Sequence, residues 1–410
     1  MPEFLKLTPP TEALNLFLDA LTPQPEPEEV LVAQALGRVL LSPVVAPHPL
    51  PAFPRSTVDG YAVRAADTFG ASESLPAYLE LAGEVPMGAA PDISLVSGQC
   101  ALIHTGGMLP AGSDAVIMVE HTQQVLDGEV EMLRAVAVAE NVIKIGEDVH
   151  QGQEVIPAGI RLRPAEIGGL MALGVTRVQV ARKPQVAILS SGDEVIPPEQ
   201  MPGPGQVRDI NSYTLSALVE NIGGIAVRYE IIPDTREAML ESADQARQEN
   251  DLVVITAGSS ASTRDLTAEV IDALGEPGVL VHGVNVQPGK PTILAVCDGK
   301  PMVGLPGNPV SALVIAGLFV APVIRLLLGE TRPHPRASVQ ARLTVNLASQ
   351  SGREQWIPVR LVGPPGSYQA EPVFGKSNLI FTLAGADGLV HIPTDATGLE
   401  AGHVVEVGLF

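Results

Sequence analysis

PMVGLPGNPVSALVIA, residues 301–316, sets the pattern on which this chain is read. A short apolar run breaks at Leu305-Pro306-Gly307-Asn308-Pro309, and a helix of small apolar residues is expected to follow. Gly307 and Asn308 tolerate left-handed backbone angles, whereas Pro306 and Pro309 fix theirs and stiffen the turn. Pro309 falls where a helix accepts proline best, in its first turn. A rigid loop between a strand end and a helix start is a ready anion site, and equally a plain tight turn. This segment alone leaves both readings open.

Two more segments share its form. PQVAILSSGDE (184–194) and DLVVITAGSSAS (251–262) are β-branched runs that break into Gly, Ser and Thr. Between them the spacing predicts a helix from Asn211 or Ser212 to Gly223-Gly224, and another from Thr235 to about Asn250. Strands alternating with helices argue for a parallel doubly wound sheet, whose ligands lie beyond the carboxyl ends of the strands. Three polar strand ends in one unit favour a pocket over three idle turns.

Outward from this unit, 410 residues suggest two to four domains. Residues 11–42 read as helical, through TEALNLFLDAL and again through EEVLVAQALG. The resulting fold class is a multidomain α/β chain: a three-layer doubly wound unit over 183–330 with small β-rich units around it. Residues 45–139 read as β-rich, 140–182 as mixed and 331–410 as a C-terminal β unit. Within 140–182 a helix is expected from Pro164 to Leu173.

Composition excludes several classes of function. Net charge is −21, which disfavours nucleic acid and anionic membrane as partners. The apolar stretch Val310–Leu328 carries Pro322 and Arg325 and reads as a buried helix before a membrane span. Two cysteines, Cys100 and Cys297, support neither a disulfide framework nor a cysteine zinc site. With no signal-peptide pattern at the start, a cytoplasmic protein is expected. His104, His121 and His282 are scattered and read as structural. No His pair has metal-ligand spacing, so any metal is expected to be Mg²⁺ held by carboxylates and phosphate. GxxxxGK[ST] and GxGxxG are absent from the strand–helix junctions.

Several motifs together resemble one family. VDGYAV (58–63), HTGGMLPAGSDAVIMVE (104–120), GEDVHQGQEVIPAGI (146–160), SSGDE (190–194), PGKP (288–291) and GLPGNPVSA (304–312) resemble the molybdopterin molybdenumtransferases, the MoeA family shared by the gephyrin E-domain. The resemblance covers the whole chain in order. It implies an elongated four-domain subunit with a MogA-like molybdopterin-binding unit, working as a homodimer. The joining of 1–44 with 140–182 into one mixed α/β unit, with 45–139 inserted, is likewise what the resemblance implies. It implies an enzyme that inserts molybdate into adenylated molybdopterin and releases AMP, with Mg²⁺ assisting. Contact with the adenylyltransferase that makes the adenylated pterin is a further implied partnership.

Residue by residue, the resemblance implies catalytic roles for Asp59, Thr105, Glu194 and Lys290. It implies substrate binding by Ser56, Gly258, Ser260, Pro306, Gly307, Asn308 and Pro309. Arg55, Ser259 and Ser262, where the chain departs from the family pattern, are expected to bind substrate through their charge and hydroxyls. Asp234 and Asp265 would hold the metal. Plainer roles stand beside these. Asp59 could open an Asp-Gly turn, and Asp234 or Asp265 could cap helices through capping boxes. Two departures from the family pattern stand out: TAGSSAS at 256–262 in place of SGGVSVG, and Arg55 ahead of the DGYA motif. An adenylyltransferase, a tungstate-inserting relative and a non-catalytic scaffold of the same fold are the alternatives.

Overall fold

The computed structural model describes residues 7–125, 128–257, 261–332, 335 and 337–410, with the side chains of 261–265 outside that description. Its centre is a six-stranded sheet in the order Ile225–Arg228, Gln185–Ser190, Leu252–Ala257, Lys300–Pro306, Ile293–Cys297, Pro277–His282. The first four strands run parallel, as expected from their strand–helix alternation. The last two do not extend that pattern: Ile293–Cys297 is antiparallel to both neighbours. Only a two-residue turn at Asp298-Gly299 separates it from Lys300, too short for the crossover a parallel pair needs.

Helices cover both faces of the sheet. On one side Asn211–Ile222 and the long helical run from Pro309 to Leu327 bury Leu215, Val219, Ile315 and Phe319 against Ile188, Val254 and Val303. On the other, Arg236–Glu249 and Ala261–Asp272 place Met239, Ala243 and Val270 over Ala187, Val253 and Ala295. The apolar run expected to be a buried helix is one, with Ala312, Ile315, Val320 and Ile324 all inside the core. Asn211–Ile222 ends at Gly223, whose φ of 108° lets the chain reverse into the next strand.

One expectation for the N-terminal region is corrected. EEVLVAQALG is not a helix: Pro27–Leu31 is a strand paired antiparallel with Arg177–Ala181, followed by a single 3₁₀ turn at Val32–Gln34. Glu29 meets Arg177 across this ladder, and Glu28 meets Arg38. Cross-strand pairing overrides a local preference for helix. The first helix, Pro10–Asp19, lies against the α/β unit. It inserts Ala13 and Phe17 into the core of that unit, against the strands Pro277–His282 and Ile293–Cys297 with Val281 and Leu294.

The remaining sheets frame this unit. In the β-rich region Ala115–Met118, Gly60–Val63, Gln99–Ile103, Ala77–Glu84, Glu129–Met132 and Thr122–Gln124 lie side by side. Near the C-terminus Glu354–Val362, Gln369–Pro372, Ser338–Leu343, Val404–Leu409 and Gly388–Ile392 close into a five-stranded barrel. A two-residue strand of the α/β unit, Val286–Gln287, pairs parallel with Glu354–Gln355 on the barrel. That pairing brings the chain just before PGKP against the C-terminal unit.

Candidate functional site

The expected site residues fall into three places. The first stands on the β-rich sheet. Asp59 precedes the strand Gly60–Val63, and its Oδ1 accepts the Thr105 backbone N–H at 2.7 Å and the Thr105 hydroxyl at 3.1 Å. His104, read from sequence as structural, lies beside it instead, with Nδ1 3.8 Å from Asp59 Oδ1 and Nε2 3.0 Å from Glu84 Oε1. The Thr105 amide, then its hydroxyl, and more weakly His104 hold the Asp59 carboxyl below its ordinary value of 3.8. Asp59 remains 63% exposed, so it is an ionised carboxylate fixed in direction and open to solvent. Arg55 is exposed on a two-residue strand paired with Val142–Ile143. Ser56 is buried, and its hydroxyl is taken up by its own turn: it donates to the Val58 carbonyl and accepts the Val58 N–H.

The second place is acidic and sits at the carboxyl end of Gln185–Ser190. Asp193 accepts the Asp234 N–H at 3.2 Å, and Asp209 Oδ1 accepts the Ser190 hydroxyl at 3.2 Å and the Ser212 N–H at 3.1 Å. Thr256 Oγ1 lies 3.3 Å from Ser190 Oγ, tying the ends of two neighbouring strands together. Glu194 is exposed next to Asp193. Asp234 differs from Asp59 in every respect. Burial, and then the negative charges of Glu194 and Asp193, push its pKa up. Ser191 lies near enough to pull the other way, yet Ser191 Oγ and Asp234 Oδ1 are both buried without a hydrogen-bond partner of regular geometry. Nor does Asp234 cap a helix. The cap position of Arg236–Glu249 is Thr235, and no side chain bonds there. Of the others expected nearby, Gly258, Ser259 and Ser260 lie outside the described residues. Ser262 and Asp265 sit on the helix Ala261–Asp272 with side chains outside the description.

The third place is a cavity of about 810 Å³ at the carboxyl end of Lys300–Pro306, closed on its far side by the barrel. Pro306 and Asn308 line it at the start of the long helix, where Pro309 takes the first helical position. Gly307 turns its carbonyl to Asn211 Nδ2 at 2.8 Å, which locks the loop to the neighbouring helix. Lys290 is exposed on the wall. Its neighbour Gly289 has φ of 115°, and a Cβ there would lie 2.2 Å from Ile315 Cγ1, so only glycine lets the PGKP turn press onto the helix.

Sequence reasoning missed the barrel's share of this cavity. Arg353, Lys376, Ser377 and Trp356 come from it, more than sixty positions from Lys290 in the chain. The Val286–Gln287 pairing makes the junction: Gln355 Nε2 donates to Gln287 Oε1 at 3.0 Å, and Arg353 approaches the same oxygen at 3.4 Å. Three cations converge here, and among the described residues no Asp or Glu lines the cavity. In a chain of net charge −21 the cavity is therefore locally positive. The available signals were the lone tryptophan and the Gly-Lys-Ser of FGKSN, neither decisive before the fold is known.

Comparison with known proteins agrees with this architecture. Residues 8–174 match the family model described as MoeA N-terminal region (domain I and II). Residues 187–326 match one described as probable molybdopterin binding domain, and 340–410 one described as MoeA C-terminal region (domain IV). The chain is 34% identical to a molybdopterin molybdenumtransferase of Nostoc sp., covering 94% of this chain and 89% of that protein. It is 30% identical to the molybdopterin molybdenumtransferase of Bacillus subtilis, covering 94% and 90%. A solved molybdopterin biosynthesis MoeA protein of Pyrococcus horikoshii superposes with a TM-score of 0.86 at 31% identity, over 99% of this chain and 100% of that one. With three successive family models over its length and full-length relatives above 30% identity, the chain belongs to the MoeA family of molybdenum cofactor biosynthesis proteins.

Proposed function

We propose that this protein is a molybdopterin molybdenumtransferase: it inserts molybdate into adenylated molybdopterin and releases AMP. The observation that carries the reading is the cavity with Lys290, Arg353 and Lys376 on its walls and no acid among its described lining residues. Molybdate is a tetrahedral dianion and the adenylated pterin carries a pyrophosphate, so bringing them together needs local positive charge against an unfavourable overall field. Arginine offers a planar fork for oxyanions, and the two lysines act as point charges that follow the ligand.

The acidic place supports a second element of the reading. Asp234 Oδ1 is a buried oxygen without a hydrogen bond of regular geometry, and Asp193 and Glu194 stand near enough to raise its pKa. These are hard oxygen donors of the kind Mg²⁺ takes. Among the described residues no three His, Cys, Asp or Glu form a metal-holding group. The protein would therefore supply part of the shell, with water and phosphate completing it. Bound there, Mg²⁺ would neutralise the pyrophosphate as AMP leaves.

Asp59 stands on a separate core in the β-rich sheet. We infer that it meets the cavity of another copy in a homodimer, as the family resemblance implies. Light scattering that reads only the 42.8 kDa monomer at micromolar concentration counts against this arrangement. The function itself is tested by AMP release from adenylated molybdopterin. Release should require molybdate, with tungstate as the comparison, and should fall in Lys290→Ala. No release with either oxyanion overturns the proposal.

A further inference from the structure

Phe374 is an exposed aromatic on the wall of the cationic cavity. It is 72% exposed, in a chain only 3% aromatic. Exposed phenylalanines are ordinary when they sit on slack loops. This loop is held at both ends. The Val373 N–H donates to the Pro358 carbonyl at 2.8 Å, and the Ser377 carbonyl accepts the Val310 N–H at 3.0 Å from the helix start. Between them Gly375 packs so closely that a Cβ would lie 2.3 Å from Thr382 Oγ1. Phe374 is thus displayed in a fixed position, one residue from Gly375 and two from Lys376.

The cavity's other large aromatic is already committed. Trp356 donates its indole N–H to Glu354 Oε1 at 3.1 Å, and its ring stacks on His391 with centroids 4.5 Å apart. Glu354 also holds His391 Nε2 at 3.0 Å, so the indole is a braced wall. Phe374 has no such partner among the described contacts. A rigid aromatic face beside three cations recognises a molecule that is flat and π-rich at one end and anionic at the other.

We propose that Phe374 is a specificity-determining residue that stacks on the heteroaromatic ring of the ligand, while Lys290, Arg353 and Lys376 hold its anionic part. This rests on the reading of the cavity given above and adds which part of the substrate is read by which wall. It assigns the pterin ring to Phe374 on the barrel side and the anionic part to the cations on both walls. Discrimination between a bare oxyanion and a pterin-linked one then lies in Phe374.

Calorimetric titration with two probes separates the claims: pterin-6-carboxylate, which has both ring and charge, and molybdate, which has charge alone. Phe374→Ala should weaken pterin-6-carboxylate about tenfold and leave molybdate within about twofold, the expected scale for loss of one stacking face. Phe374→Tyr should restore the affinity, because it keeps the ring. Lys290→Ala should weaken both probes. Unchanged pterin-6-carboxylate affinity in Phe374→Ala, with Lys290→Ala still weakened, overturns the stacking role and leaves the cavity reading intact. If Lys290→Ala weakens neither probe, the cavity reading falls and the stacking role falls with it. A changed mass of Phe374→Ala by light scattering with unchanged pterin affinity places Phe374 in a contact between copies, and also overturns the proposal.

Discussion

Asp59 and Asp234 follow similar sequence cues and sit in opposite environments. Each opens a turn before a regular element, and each could be a local structural acid or a working one. Asp59 takes two hydrogen bonds on one oxygen, faces solvent and has its pKa lowered by them. Asp234 is half-buried between like charges, has an oxygen without a hydrogen bond of regular geometry and has its pKa raised. The difference separates two kinds of functional carboxylate. One is a charge held in a fixed direction; the other is a charge whose ionised form burial and like charges disfavour.

The largest expected effect breaks the comparison at Asp59. Asp59→Asn keeps an acceptor for Thr105 but removes the charge. Molybdate-dependent AMP release should fall by about 100-fold or more, the scale for a group placed for proton transfer or charge positioning. Melting temperature should change little, since the site is exposed and only its pairing with Thr105 and His104 is touched. Wild-type turnover in Asp59→Asn would leave the Thr105 bonds as a turn ornament and return weight to the scaffold alternative.

Both the resolved parts and the missed parts of this site have physical reasons. The α/β unit was legible because its strands are unbroken apolar runs and its helices carry clear ends, such as Gly223. EEVLVAQALG was not, because Glu, Leu and Ala favour a helix locally while the partner strand Arg177–Ala181 decides otherwise. Lys290 and Pro306 were legible through motifs confined to a few residues. Arg353 and Lys376 were not, because their meeting with Lys290 depends on one two-residue pairing between distant segments. His104 was passed over for the same reason: its partners are Asp59, just before the strand Gly60–Val63, and Glu84, at the end of Ala77–Glu84. Sequence exposes what is local and hides what topology assembles.

A smaller effect, opposite in sign for stability, is expected at Asp234. Its folded pKa lies above the unfolded value, so the ionised form is disfavoured by folding and the group costs stability at neutral pH. Asp234→Asn should therefore melt at the same temperature as the parent or higher without metal. That gain should shrink as pH falls through the raised pKa toward 3.8, where the native carboxyl is protonated. Asp59 behaves in reverse. Its lowered pKa contributes stability that is present above 3.8 and lost as pH falls through the folded value. Added Mg²⁺ should raise the melting temperature of the parent, less so at lower pH because the proton competes, and hardly at all in Asp234→Asn. A magnesium response equal in parent and variant would remove Asp234 from the metal shell.

The smallest expected effect tests whether Asp234 and its neighbour are merely the start of a helix. A side chain that caps a helix through a hydrogen bond contributes about 1 kcal/mol, and its removal is readily measured by urea denaturation. Thr235 occupies the cap position of Arg236–Glu249 but makes no such bond, and Asp234 stands one residue before it. Thr235→Ala should then cost less than about 0.5 kcal/mol, below the range of a working cap. The helix is instead held by Met239, Ala243 and Ala246, which are buried against the sheet. A loss of about 1 kcal/mol or more in Thr235→Ala would mean that this turn has a capping role in solution. Asp234 would then have to be counted among the residues that shape the helix start, and its contrast with Asp59 would reduce to local geometry. A near-zero cost leaves its buried oxygen without a structural duty, which is the condition the metal reading requires.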